Sequence, residues 1–274
     1  MKTLNFFLIL LLLTGSFFVG CERLRLDKDT QSSIDNSFAE SEFSAIQRTF
    51  DLEGQQDESV KKNNSGYFCA CSQISVSEIA DSTYQMVIDY GSGCTCLDGR
   101  TRAGKLTGIF YGQWKNDGSY VDITPENYRI TLLNGEAYDF SFSKKISKLG
   151  PDSDGNPTFR TEVKNAVLTG DDGTVRWNST RTTKWVEGVG DLNPSTNVYL
   201  VSGGATGTNR KGVDFEVEIL EPLRIEMDCP NVTQGVLELT PDEKETRSLD
   251  YGDGTCDRRA TFSVGNFTTE ITLR

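Results

Sequence analysis

Two closely spaced cysteine pairs are the residues whose type and spacing most clearly suggest chemistry. One residue separates Cys69 from Cys71, and one separates Cys94 from Cys96. Four thiolates could hold zinc or an iron–sulfur cluster, but structural zinc sites usually place at least two residues between paired cysteines. On a strand, a single intervening residue puts both sulfurs on one face, about 7 Å apart. Two such strands side by side would form a disulfide ladder, so we expect disulfides, with no metal and no other cofactor.

The first 21 residues indicate the compartment in which these cysteines would fold. Lys2 gives a positively charged start, and residues 6–13 form an apolar run that is too short to span a bilayer as a helix. Residues 18–21 (FVGC) resemble the lipobox of bacterial lipoproteins, with phenylalanine where leucine is usual. This ending predicts a signal peptide over residues 1–20 and a lipid on Cys21, which would anchor the protein to the outer membrane or the cell surface. An ordinary signal peptide followed by an incidental cysteine is the alternative.

A repeated unit predicts how the other six cysteines pair in an oxidising compartment. Asp-Tyr-Gly occurs at residues 89–91 and again at residues 250–252, each time between an earlier cysteine and a later one. Equivalent units should carry equivalent cross-links, and antiparallel neighbours favour a nested arrangement of the two remaining cysteines. The predicted disulfides are Cys229–Cys256, Cys71–Cys94 and Cys69–Cys96.

Histidine is absent from the chain, and no catalytic residue is predicted. Its absence excludes Ser-His-Asp and Cys-His nucleophile systems and every histidine-based metal site. Carboxylate chemistry stays open because two acids suffice for glycoside hydrolysis. With 40 Asp and Glu residues, however, the sequence favours no particular pair.

Three further motifs are better explained as ordinary structure. Residues 152–157 (DSDGNP) space oxygen donors like a calcium loop, but proline stands where an EF-hand needs glycine, which favours a polar hairpin loop. Ser141 and Lys144 have the spacing of a Ser-Lys acylase, yet on a strand they would face opposite ways. The glycine-rich residues 203–212 lack the ending and the context of a phosphate-binding loop, so a long hairpin turn is expected.

Residues 21–66 are predicted to be a polar, lipid-anchored tether. Four apolar residues recur there at near-helical spacing: Phe38, Phe43, Ile46 and Phe50. This spacing predicts a short helix over residues 36–51. Residues 52–66 are almost devoid of apolar side chains and predict a linker.

Residues 67–274 predict an all-β body of antiparallel sheets. Apolar and polar residues alternate, as at residues 138–143 and 213–219, and turn signals such as Asn134-Gly135 separate the runs. A sandwich-like arrangement is expected. The Asp-Tyr-Gly unit near each end leaves open whether the body is one β domain or two related β halves.

Taken together, the motifs of the body resemble those of a group of envelope lipoproteins of the Bacteroidota. In chain order they are the first Asp-Tyr-Gly unit, residues 98–105 (DGRTRAGK), 177–181 (WNSTR) and 207–214 (GTNRKGVD), and the last Asp-Tyr-Gly unit. The resemblance covers most of residues 67–274 and implies an envelope location and a β fold. It implies no activity or ligand, so no functional residue is assigned from it.

The sequence therefore predicts a non-catalytic envelope lipoprotein that binds or scaffolds an unidentified partner. A glycan-binding surface lipoprotein of a polysaccharide-uptake system is one alternative, with Trp114, Trp177, Trp185 and the nine tyrosines as the source of a stacking platform. A carboxylate-dependent glycosidase is the other. The net charge is −12, or −13 without residues 1–20, which contain one basic residue. Such a charge disfavours nucleic acid and leaves a glycan or an envelope protein as the expected partner, besides the membrane that holds the lipid.

Overall fold

One antiparallel sheet and one helix make up most of the computed structural model, which describes residues 27–55, 64–65, 68–191 and 193–274. Helix α1 spans Gln31–Gln55, and a short 3-10 helix spans Pro194–Thr196. The strands are β1 (Asn64–Ser65), β2 (Gln73–Ala80), β3 (Thr83–Asp89), β4 (Cys94–Thr95), β5 (Thr101–Tyr111), β6 (Tyr120–Thr131), β7 (Ala137–Pro151), β8 (Pro157–Gly170), β9 (Gly173–Glu187), β10 (Val198–Thr208), β11 (Asp214–Glu226), β12 (Val232–Pro241), β13 (Arg247–Asp253), β14 (Arg259–Val264) and β15 (Phe267–Thr272). The predicted signal peptide, Cys21 and most of the predicted linker lie outside the described residues.

The strands follow one another across the sheet in chain order, each antiparallel to the next, with β4 as a short addition beside β5. The all-β, antiparallel prediction is therefore confirmed. The sandwich-like detail is replaced by one continuous sheet, because each hairpin places its second strand beside its first.

Burial along the strands follows the predicted period of two. In β7, Tyr138, Phe140 and Phe142 are buried while the residues between them are exposed. The hairpin that precedes β7 turns at Gly135, whose φ of +87° lies in the left-handed region that glycine tolerates best. Local patterning therefore explains both the strands and the turns that join them.

Helix α1 lies within the curve of the sheet and is buried on all sides. Phe38 packs against Tyr138 of β7 with ring centroids 4.9 Å apart, and Phe43 stacks on Trp177 of β9 at 5.1 Å. Ser37 shares a hydrogen bond of 2.9 Å with Tyr251 of β13. Since β7, β9 and β13 are well separated in the sheet, the sheet must wrap around the helix.

The helix corrects the predicted division of the chain. It begins and ends several residues outside the predicted range of 36–51, and it forms the centre of the fold instead of part of a tether. The predicted tether is therefore wrong for residues 31–55. Its polar composition resembled that of a solvated segment, but the apolar residues at positions 38, 43, 46 and 50 are all buried in the core.

The polar residues of the helix are buried against basic and aromatic residues of the sheet. Most of the pairs join an acidic helix residue to an arginine of a strand or of an adjoining loop: Asp35–Arg210, Glu40–Arg181, Glu42–Arg100 and Glu42–Arg102. The indole nitrogens of two tryptophans donate to Asn36 and Asp51. Buried charges are costly unless they are paired, so these contacts favour one register of the helix inside the sheet.

Candidate ligand pocket

The six described cysteines form three disulfides with the predicted pairing. Their Cα–Cα distances are 4.2 Å for Cys69–Cys96, 5.6 Å for Cys71–Cys94 and 5.8 Å for Cys229–Cys256. The first two lie side by side as a ladder between the segment before β2 and the segment around β4. All six sulfurs are used in these bonds.

The two Asp-Tyr-Gly units share their turn geometry as well as their sequence. In the first, the Gly91 amide donates to the Asp89 carboxylate at 2.8 Å, and in the second the Gly252 amide donates to Asp250 at 2.9 Å. Both glycines have positive φ, and the tyrosine of each unit is buried. Tyr90 of the first unit lines a cavity, whereas Tyr251 of the second unit shares a hydrogen bond with Ser37 of helix α1.

A cavity of about 230 Å³ lies between the first cysteine unit and the segment that joins β11 to β12. We call it the disulfide pocket. The first unit contributes the Cys69–Cys96 disulfide, and helix α1 contributes the floor. The lining residues used below are Ala45, Ile46, Arg48, Phe68, Tyr90, Leu97, Asp98, Arg102, Tyr128, Met227, Asp228, Cys229 and Pro230.

Apolar groups form much of the wall of the disulfide pocket. Ile46 and Met227 are 3% and 5% exposed, and Phe68 is half-buried against the core. Leu97 lies in the wall yet is 75% exposed, which places it on the rim. An apolar cavity of roughly 150 Å³ is large enough for benzene. The disulfide pocket therefore has room for a ring and a few more atoms.

Arg48 is the one basic residue in the sequence of α1, and it lies in the floor of the pocket. Its Nη1 donates to the carbonyl oxygens of Glu226 at 2.7 Å and Cys229 at 3.2 Å. Among the described residues, Nε has no hydrogen-bond partner and no carboxylate pairs with the guanidinium. Burial lowers the pKa of Arg48 to about 10, so the side chain stays charged at neutral pH. The pocket thus contains a buried cation that no acid of the described residues contacts.

Arg102, the other arginine of the pocket, is neutralised by acids. It contacts Glu42 at 3.1 Å and Asp98 at 2.7 Å. Burial lowers the pKa of Arg102, but the charges of Glu42 and Asp98 and the hydrogen bond to Asp98 act together against burial, and the net pKa is raised. Burial raises the pKa of Asp98, but the hydrogen bond to Arg102 and the charges of Arg102 and Arg100 together outweigh burial, and the net pKa is lowered. Asp98 is therefore held ionised, which is the wrong state for the general acid of a glycosidase.

Two tyrosines add neutral polar groups to the pocket. Their ring centroids, in Tyr90 and Tyr128, are 5.7 Å apart. Burial raises the pKa of Tyr90 to about 12 and that of Tyr128 well above its usual value. The Tyr128 hydroxyl makes no well-formed hydrogen bond within the described residues. Both hydroxyls stay protonated at neutral pH and can donate to an acceptor in the pocket.

The other motifs of the sequence take structural roles. The Asp152 carboxylate accepts hydrogen bonds from the Asn156 and Asp154 amides at 2.9 and 3.0 Å, as in a hairpin loop. Ser141 is exposed, whereas Lys144 is buried on the opposite face of β7 and donates to a helix carbonyl at 2.9 Å. These two residues therefore form no nucleophile pair, as predicted from the strand.

The three tryptophans are not available for the stacking platform that the glycan-binding alternative drew from tryptophans and tyrosines. They are 5%, 1% and 7% exposed, in the order Trp114, Trp177 and Trp185. Each indole nitrogen donates to an acceptor within the fold, at 3.0, 2.9 and 2.6 Å. Their contribution is to the packing around helix α1 and to the core of the sheet.

A larger cleft, of about 1150 Å³, lies open to solvent beside the β10–β11 and β12–β13 turns. Acidic side chains dominate its lining: Asp27, Asp214, Glu216, Asp242, Glu243 and Glu245. Arg176 and Lys244 supply the basic groups. Such solvated acids need no ligand, so the smaller, more enclosed disulfide pocket is the better candidate.

The pocket cysteines were predictable from the sequence, but Arg48, Phe68 and Tyr128 were not among the predicted site residues. One signal was available for Arg48, since it is the lone base in a helix that carries five acids. Nothing in the sequence indicated that the helix would meet the cysteine units.

No helix of the described part of the chain is long and apolar enough to cross a membrane. Comparisons of the chain with protein-family models, with curated proteins and with solved structures returned no match.

Proposed function

We propose that this chain is a lipid-anchored protein of the bacterial cell envelope that acts without catalysis, by binding a small molecule in the disulfide pocket. The observation that carries the proposal is the composition of that pocket, which combines apolar walls with a buried Arg48 that no carboxylate of the described residues contacts. Protein sites for small molecules are typically apolar cavities with a few convergent polar groups.

The lipid anchor and the location rest on the sequence. Residues 18–21 resemble a lipobox, and the motifs of the body resemble envelope lipoproteins of the Bacteroidota. Three disulfides support folding in an oxidising compartment. We therefore place the protein at the outer membrane or the cell surface, held by the lipid on Cys21, without a nucleic-acid partner.

Binding explains the pocket better than glycoside hydrolysis does. A glycosidase needs one carboxylic acid that stays protonated, and Asp98 has a lowered pKa because Arg102 binds it. The other acid of the wall, Asp228, is exposed to solvent. The glycan-binding alternative loses the support of the three tryptophans, which are buried.

The proposal can be tested by filling the pocket. Ala45 lies in the floor and is half-buried, so Ala45→Leu should occupy the cavity without breaking the helix. The matched control is Ala80→Leu, the same change at an exposed position at the end of β2. Ligand-observed NMR of the full chain against small aromatic and aliphatic molecules and oligosaccharides should find compounds that bind the wild type and the Ala80→Leu variant.

Loss of those compounds from the Ala45→Leu variant would support the proposal. Hits that persist in that variant, or a panel without hits, would contradict it. Release of reducing sugar from a polysaccharide, abolished by Asp98→Asn, would instead make the protein a glycosidase.

A further inference from the structure

We infer that the disulfide pocket selects a small monocarboxylate with an apolar body, whose carboxylate binds the Arg48 guanidinium. This inference rests on the proposed function and adds the chemical class of the ligand. Three features of the pocket lead to it: the state of Arg48, the balance of charge around it, and the shape of the apolar wall.

The guanidinium of Arg48 is oriented but only partly used. Two backbone carbonyls accept from Nη1 and hold the group in place, at 2.7 and 3.2 Å. Neither Nε nor Nη2 makes a hydrogen bond within the described residues. These two nitrogens form one edge of the planar group, and the two oxygens of a carboxylate match such an edge. A buried donor without a partner is costly, so a ligand that supplies the acceptor removes that cost.

The charge balance of the pocket favours a ligand with a single negative charge. Arg102 is already paired with Glu42 and Asp98, which leaves Arg48 as the pocket cation that no acid of the described chain contacts. Asp228 is exposed on the wall, where water and salt screen its repulsion. Because one buried positive charge compensates one negative charge, a monoanion is desolvated at a lower cost than a dianion.

The wall sets the size of the apolar body. Ile46, Phe68, Met227 and Pro230 offer contacts for hydrocarbon, and the Cys69–Cys96 disulfide adds two polarisable sulfurs. A cavity of about 230 Å³ exceeds what benzene needs by the volume of a short chain. A six-membered ring that carries a two- or three-atom acid chain fits this description, whereas a disaccharide is larger and has no apolar face of that extent.

Isothermal titration of the full chain, purified in mild detergent at pH 7.5, tests the inference with three probes. 3-Phenylpropanoate has both features, 3-phenylpropanamide keeps the body but lacks the charge, and acetate keeps the charge but lacks the body. We expect the wild type to bind the carboxylate at least about tenfold more tightly than the amide, because hydrogen bonds to a charged acceptor are stronger. Acetate should bind more weakly than 3-phenylpropanoate, because it has no body to bury.

Two arginine variants test whether Arg48 causes the preference for the carboxylate over the amide. Arg48→Met should bind the carboxylate and the amide equally, whereas Arg129→Met, the same change at an exposed arginine of β6, should keep the preference. Ala45→Leu should lose both probes. If Arg48→Met fails to fold, the wild-type comparison of the two probes together with Ala45→Leu still decides the question.

Equal affinity of the wild type for 3-phenylpropanoate and 3-phenylpropanamide would overturn the inference and leave the proposed function standing. If no probe binds but the NMR panel finds pocket ligands of another class, the inferred ligand class is wrong and the proposed function still stands. An NMR panel without pocket hits would overturn the proposed function itself.

Discussion

Replacing Phe43 by alanine tests whether helix α1 is the centre of the fold. The side chain is 2% exposed, and its ring stacks on Trp177 at 5.1 Å with an interplanar angle of 4°. Phe142 meets the same ring edge-on at 5.1 Å. If residues 31–55 were a solvated tether, none of these contacts would exist and the substitution would have little effect.

The expected loss of stability follows from these contacts. Truncation of a buried phenylalanine to alanine costs about 3–5 kcal/mol, which includes the lost burial and the cavity that remains. Aromatic pairs contribute about 0.5–1.5 kcal/mol beyond burial, which favours the upper half of that range. The hydrogen bond from Lys144 to the Phe43 carbonyl involves the backbone, so it should persist. We therefore expect a loss of about 4 kcal/mol, a large part of the roughly 5–15 kcal/mol typical of folded proteins.

Urea unfolding of the non-reduced protein, followed by tryptophan fluorescence, measures this loss. The slope of the unfolding free energy against urea should be unchanged, which would show that the folded and unfolded states keep their exposed areas. Leu149→Ala is the control, because Leu149 lies on β7 but is 56% exposed, and such changes usually stay within about 0.5 kcal/mol. A Phe43→Ala variant as stable as this control would refute the placement of the helix in the core.

Three other perturbations test separate parts of the structure. Burial lowers the pKa of Lys144 in the folded protein to about 7. Between about pH 7 and 10 the unfolded chain therefore binds more protons at this lysine than the folded protein does, so its contribution makes stability rise with pH. The urea midpoint of the Lys144→Met variant should rise less with pH than that of the wild type. An equal rise in both proteins would contradict the lowered pKa of Lys144. Replacing Cys71 and Cys94 together by serine should cost about 3–4 kcal/mol in urea, from a loop of 23 residues; no loss would argue against that cross-link. Cys21→Ser should move the protein out of the detergent phase in phase partitioning, and retention there would argue against the lipid anchor.

The sequence by itself determined the features that depend on local pattern or on cysteine parity. Alternation such as that of Tyr138, Phe140 and Phe142 predicted the strands, because a pleated strand has one face in the core. The repeated Asp-Tyr-Gly units predicted the Cys229–Cys256 and Cys71–Cys94 disulfides, and the two remaining cysteines were left to form Cys69–Cys96. The strands depend on neighbouring residues only, and each disulfide joins cysteines no more than 27 residues apart.

The position of helix α1 was decided by the tertiary structure. Its residues are too polar to predict burial, and their partners lie far along the chain: Arg100 is 58 residues from Glu42, and Arg181 is 141 residues from Glu40. A buried carboxylate is stable only where such a partner compensates for the lost water. That compensation is invisible in a segment taken alone, so the segment resembled a tether.

The disulfide pocket depends on tertiary structure in the same way. Its parts come from the helix, from the first cysteine unit and from the segment between β11 and β12, which the sheet brings together only by wrapping around α1. Arg48 is an ordinary surface-type residue in the sequence. It becomes a candidate ligand group because the fold buries it beside apolar walls, holds it with two carbonyls and places no carboxylate of the described chain against it.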